Sequence, residues 1–67
     1  MARTFPIVRI ERWTGLDGWW TFKVLYVASE DSEADPLDAE FPAIEDARIA
    51  ARRYAAAMGD CPIVEDI

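Results

Sequence analysis

The sequence predicts an α+β domain: a small antiparallel sheet of three to four strands, in the order β-β-(β)-α-β, with one helix packed on a face. Three observations carry this expectation. Two stretches of period-two alternation flank a glycine-bearing turn, a later stretch repeats apolar residues at the helical period, and a short apolar run follows it. The chain has 67 residues and 52% hydrophobic content, with three Trp, three Phe and two Tyr. That length fits a single domain over residues 1–67, close to the lower size at which one core folds without staples. The composition is too apolar for a wholly disordered chain.

Ile7 to Thr14 reads as a strand, with Val8 and Ile10 on one face and Arg9, Glu11 and Trp13 on the other; Pro6 suits its start. Thr14 to Gly18, with two glycines and an Asp17-Gly18 step, reads as a hairpin turn. Trp19 to Ser29 is the return strand. Trp20, Phe22, Val24, Tyr26 and Ala28 share one of its faces, and Trp19, Thr21, Lys23, Leu25 and Val27 the other. Both faces are partly apolar, which places this strand centrally in the sheet.

Glu30 to Glu40 opens as a loop, because Asp35, standing before Pro36, is pushed to extended geometry and cannot begin a helix smoothly. Leu37 to Phe41 fits a short third strand with Leu37, Ala39 and Phe41 inward and Asp38 and Glu40 outward. Pro42 suits the first helical position. From there to Met58, the residues Ile44, Ala47, Ala51, Tyr54, Ala55 and Met58 share one arc. Glu45 and Asp46 in the first turn and Arg48, Arg52 and Arg53 beyond it agree with the helix dipole, and Gly59 is a natural C-terminal cap. Ile49 falls outside the arc, so it is either exposed or part of an interface. Cys61-Pro62-Ile63-Val64 supplies the last strand.

Charge is distributed very unevenly along this pattern. Residues 1–29 hold Arg3, Arg9, Arg12 and Lys23 against Glu11 and Asp17, and residues 47–67 balance three arginines against three acids. Between them Glu30, Asp31, Glu33, Asp35, Asp38, Glu40, Glu45 and Asp46 stand without a single base, so this strip carries −8, which the +2 of residues 1–29 reduces to the net charge of −6. A localised negative field steers a basic partner toward one face and also keeps a small protein soluble. In extended chain Asp31, Glu33 and Asp35 point the same way at about 6.6 Å intervals. One DNA strand carries a phosphate per roughly 3.4 Å of axis, so a carboxylate row fits a groove built for nucleic acid. An acidic solubilising loop is the plainer alternative.

The residue inventory argues against several chemistries. His, Asn and Gln are absent, which removes imidazole bases, Ser-His or Cys-His pairs and His metal ligands. The carboxylates sit in a polar strip, where nothing separates their pKa values for acid-base work, so no catalytic residue and no cofactor are expected. Cys61 is the only cysteine, which excludes an internal disulfide and a multi-thiolate zinc site. Asp31, Glu33 and Asp35 match positions 1, 3 and 5 of an EF-hand loop. Pro36 and Pro42 then stand where that loop needs Gly and Glu, so no metal site is expected. No apolar run approaches a membrane span and no signal-peptide h-region is read, so the cytoplasm is the expected compartment.

Trp13 and Trp19 flank the hairpin turn, and at least one of them is expected on the face opposite the helix, as cross-strand packing or as an interface anchor. Arg9, Arg12 and Lys23 are too few for a basic groove, so direct nucleic-acid binding is not expected. Arg48, Arg52 and Arg53 are expected to pair with Glu45, Asp46 and the acidic loop.

A tiny acidic α+β domain with no catalytic equipment resembles the small inhibitors encoded by phages and other mobile elements. Within these it is similar in type to anti-CRISPR proteins directed at type I systems, subtype I-C among them. The resemblance lies in size, charge and layout and contains no diagnostic motif. It implies an acidic inhibitor, monomeric or homodimeric, that binds a subunit of the surveillance complex of a host bacterium and covers the cations that hold target DNA. The contacts expected are the eight acidic residues with Trp13 and Trp19. An antitoxin-like partner of a basic toxin, or a homodimeric structural module with a merely solubilising loop, stays open beside it.

Overall fold

The computed structural model describes residues 5–15 and 18–67, apart from the side chain of Asp38. The elements are β1 (Ile7–Thr14), β2 (Trp20–Val27), β3 (Asp35–Phe41), α1 (Ile44–Ala57) and β4 (Ile63–Asp66). They form a four-stranded sheet in the order β3-β2-β1-β4 with one helix on a face, the α+β architecture expected from the alternation and the helical arc. β2 is central, as its two partly apolar faces require.

β1 and β2 pair antiparallel from Ile7↔Val27 to Thr14↔Trp20. The Gly15 N–H donates to the Trp19 carbonyl at 2.8 Å and Gly18 takes a φ of +83°, which a residue without Cβ adopts cheaply. The Asp17 half of the expected Asp-Gly step lies outside the described residues.

β3 runs from Asp35, two residues earlier than the sequence pattern indicates. Asp35-Pro36 is tolerated because β3 is an edge strand, where the missing proline N–H need not leave a gap in the ladder. Pairing with β2 slips along the way. Phe22↔Phe41 and Lys23↔Glu40 hold at one end and Leu25↔Pro36 and Tyr26↔Asp35 at the other, so β3 carries two extra residues. An even excess preserves facing. Leu37 and Phe41 therefore both pack against the core, whereas Ala39, expected inward, lies in the bulge and is exposed.

The helix begins at Ile44 with Ala43 as an extended cap (φ −116°, ψ 136°), so Pro42 precedes the helix instead of opening it. Phe41 is still paired with Phe22, and the chain needs Pro42 and Ala43 to turn from strand into helix. At the other end Gly59 (φ +90°) and Asp60 (φ +58°) reverse the chain, and the Gly59 and Cys61 N–H groups cap the carbonyls of Ala56 and Ala55 at 3.3 Å.

β4 departs from the expected all-antiparallel sheet: it pairs parallel to β1, from Val8↔Ile63 to Glu11↔Asp66. The cause is the crossover. α1 runs back along the sheet from the end of β3, so the following strand starts at the same end as β3 and β1.

The core is the meeting of two surfaces. Val8, Ile10 and Val24 on the sheet and Ala47 and Ala51 on the helix are fully buried, with Ala55 nearly so. Alanines at four-residue steps place the helix backbone close to the sheet. Burying each branched side chain contributes about 1.5–3 kcal/mol. Tyr26 and Tyr54 meet edge-to-face at 5.8 Å at one end of this core. On the opposite face of the sheet Ile7, Leu25 and Val27 are also buried. Beyond them lies a charged row: Arg9–Glu11 at 2.6 Å and Lys23–Glu40 at 3.4 Å. Arg9 Nε is buried in this row without a hydrogen-bond partner among the described residues.

Enlarging the alanine seat tests this packing. Ala51→Leu is expected to lose about 1–3 kcal/mol in urea denaturation, while Ala56→Leu, on the exposed side of α1, is expected to stay within about 0.5 kcal/mol of the parent chain.

Candidate functional site

Three consecutive elements carry the acidic strip onto one side of the molecule. The Ser29 and Ser32 hydroxyls lie 2.7 Å apart, and the Ser32 N–H donates to the Ser29 carbonyl at 3.2 Å. This closes a turn with Glu30 and Asp31 at its tip. Glu33 leads out of the turn, Asp35, Asp38 and Glu40 belong to β3, and Glu45 and Asp46 stand in the first turn of α1. All are exposed apart from Asp38, whose side chain lies outside the described residues. β3 is the outermost strand on this side, so no further element screens the strip.

The geometry corrects one expectation. Asp31 sits in the serine turn, not in extended chain, so Asp31, Glu33 and Asp35 do not form a straight row at two-residue spacing. Within β3 the facing alternates: Asp35 pairs with Tyr26 on the helix side, and Glu40 with Lys23 on the other. The carboxylates therefore wrap around the edge of the sheet; between Asp35, opposite Tyr26, and Glu40, opposite Lys23, the edge advances about 10 Å, at about 3.3 Å per residue of β2.

Most of this charge is uncompensated. Glu40 meets Lys23, and Glu45 meets Arg48 at 3.0 Å. Among the described residues Glu30, Asp31, Glu33, Asp35 and Asp46 make no ion pair. Of the arginines expected to close on the strip, Arg48 alone does so among the described residues, through Glu45. Arg48 turns toward β4, where Glu65 Oε1 accepts from its Nε at 3.1 Å and its Nη2 at 2.8 Å. This pairing, with Glu45 adding to it, raises the guanidinium pKa above its ordinary value. Arg52 and Arg53 are exposed and make no ion pair among the described residues.

Beside the strip, β3 and α1 enclose an open groove of about 730 Å³. Its floor is Leu37 and Phe41 of β3, and its wall is Ile49, Ala50, Tyr54 and Ala57 of α1, with Asp46 and Arg53 on the rim. Ile49, the residue outside the helical arc, is 44% exposed on this wall. Its position off the arc was the one sequence signal for the groove.

The tryptophans gather at the hairpin end, away from the serine turn. Trp13 lies on the face opposite the helix, its Nε1–H donating to Glu11 at 2.9 Å and Lys23 Nζ lying 4.2 Å from its ring centre. Trp19 is 73% exposed just before β2. Trp20 shares its strand face with the buried Val24, yet it is 58% exposed, with the Arg12 guanidinium 4.3 Å from its ring centre. The alternation is right about its face, but the fully buried helix positions begin only at Ala47. Cation–π contacts at exposed sites contribute about 0.5–1 kcal/mol each.

Among the described residues no three of His, Cys, Asp or Glu converge as metal ligands, and no helix is long and apolar enough to cross a membrane. If the strip is presented to a partner, folding should not need it. Replacing Glu30, Asp31 and Glu33 together by Lys is expected to leave the thermal midpoint unchanged or slightly raised, since surface changes of this kind stay within about 0.5 kcal/mol each; differential scanning calorimetry measures it. Comparison of the chain with protein-family models, with curated proteins and with solved structures finds no match.

Proposed function

We propose that this protein is an acidic inhibitor that occupies a basic, nucleic-acid-holding surface of another protein. The observation that carries the proposal is the wrapping of unpaired carboxylates from the serine turn, β3 and the start of α1 around one unscreened sheet edge. Such an edge presents negative charge over a length comparable to several phosphates, on a paired strand and the start of a helix. Its field accelerates encounter with a cationic surface and opposes encounter with nucleic acid itself. Trp13 and Trp19 lie at the far end of the sheet and act, in this proposal, as peripheral anchors. The target class suggested by the resemblance in size, charge and layout is a subunit of a type I CRISPR surveillance complex, with target DNA excluded from the covered cations.

The test is displacement of labelled target DNA from a purified type I surveillance complex by the wild-type chain and by a variant carrying Lys at positions 31, 33, 35 and 38. Inhibition by the wild type that weakens as salt rises is expected. The variant is expected to require at least about tenfold more protein, equivalent to roughly 1.4 kcal/mol. Undiminished inhibition by the variant would sink the charge-based mechanism. Failure of the wild type to displace DNA would remove this complex as the target.

A further inference from the structure

We infer that the groove between β3 and α1 receives an amphipathic basic helix of the partner protein. This rests on the acidic-inhibitor proposal and specifies what the partner inserts. The groove exists because one helix cannot cover four strands. Outer strand axes of such a sheet lie about 14 Å apart, from spacings of about 4.8 Å, and a helix with its side chains is about 10 Å across. The alanine ridge seats α1 over Val8, Ile10 and Val24, on β1 and β2. The flank above β3 is left open, and Leu37 and Phe41 are only half-buried there.

The shape of the wall selects a helix. Ile49, Arg53 and Ala57 follow one another at four-residue steps, with Ala50 and Tyr54 beside them. This is the ridge onto which a second helix packs, and its two alanines allow close approach. The competing mode, strand addition to β3, is opposed by Pro36 and by the two-residue bulge, both of which spoil an edge ladder.

Charge then selects the occupant. α1 runs antiparallel to β3, so Asp46 stands on the rim toward one end of the groove, Asp35, two residues before Leu37, lies toward the other, and Arg53 lies on the rim between them. A helix of about three to four turns with an apolar stripe and lysines or arginines at both ends complements that pattern. A second copy of this chain would bring its own Glu45 and Asp46 against Asp35, which is repulsive.

A synthetic helical peptide of about 16 residues, with a leucine stripe and lysines at both ends, serves as the probe. Its control carries serine for leucine at equal charge, and binding of each is read by fluorescence anisotropy. The wild type is expected to prefer the leucine peptide by about tenfold or more, the effect of burying one or two apolar side chains. Ile49→Glu and Ala57→Trp, both at exposed positions, are expected to abolish that preference while keeping the weaker binding common to both peptides. Lysine at positions 30, 31 and 33 is expected to weaken both peptides alike. Equal affinity of the wild type for the two peptides would overturn the groove inference and leave the acidic reading standing. A leucine preference with undiminished affinity in the lysine variant would do the reverse. A dimer in sedimentation that Ile49→Glu dissociates would assign the groove to a second copy and overturn the inference.

Discussion

The close seating of three alanines on three branched residues governs this structure. Ala47, Ala51 and Ala55 have no side chain beyond Cβ, so the helix axis approaches Val8, Ile10 and Val24 without a gap. In a chain of this size there is room for only one such contact, and native domains are stable by only about 0.05–0.15 kcal/mol per residue. The remaining arrangement follows from it. The helix must lie over the middle strands, β3 becomes an edge, and the crossover from β3 delivers β4 parallel to β1. Arg48, turned outward from the alanine ridge, then reaches Glu65 and ties that short last strand to the helix.

The same edge position gives the acidic residues two physical roles. A bare edge strand is a template for further strands, and natural sheets blunt such edges with charge, proline and bulges. β3 has all three: Asp35, Asp38 and Glu40, Pro36, and two unmatched residues. Charge that prevents pairing with another copy is also charge available to a cationic surface. Protection of the edge and attraction of a partner thus arise from the same side chains. The bases of β1 and β2 cancel little of it: Arg12 lies against Trp20 and Arg9 pairs with Glu11, while Lys23 offsets Glu40.

Much of this was legible in the sequence, for reasons that differ by element. Alternation in β1 and β2 is a local property of a two-faced strand, and the alanine arc is a local property of a helix lying on a sheet. Both therefore read correctly except at their ends: β2 stops at Val27 short of Ala28 and Ser29, and Met58, read as the end of the buried arc, is the exposed C-cap of α1. Strand direction is not local, and nothing in Ile63-Val64 distinguishes a parallel from an antiparallel partner. The start of β3 was hidden because Asp35-Pro36 is as compatible with a loop as with an edge strand. Asp31 was expected in a row because spacing alone does not reveal the serine turn. Trp20 shows the limit of periodicity: alternation gives the face of a strand but not where the covering helix begins. The groove depends on a flank left uncovered, a property of the assembled layers that only Ile49, off its arc, hinted at.

The bulge in β3 has an evolutionary consequence. Side chains in a strand alternate with period two, so adding or deleting a pair of residues there leaves Leu37 and Phe41 facing the helix. Because the surplus pair is unmatched, such a change also leaves Asp35 opposite Tyr26 and Glu40 opposite Lys23 and alters only the size of the bulge between them. The segment around Asp38 can therefore lengthen or shorten while the alanine seat stays fixed. Insertions and deletions of residue pairs are the length changes this edge absorbs without rebuilding the interior.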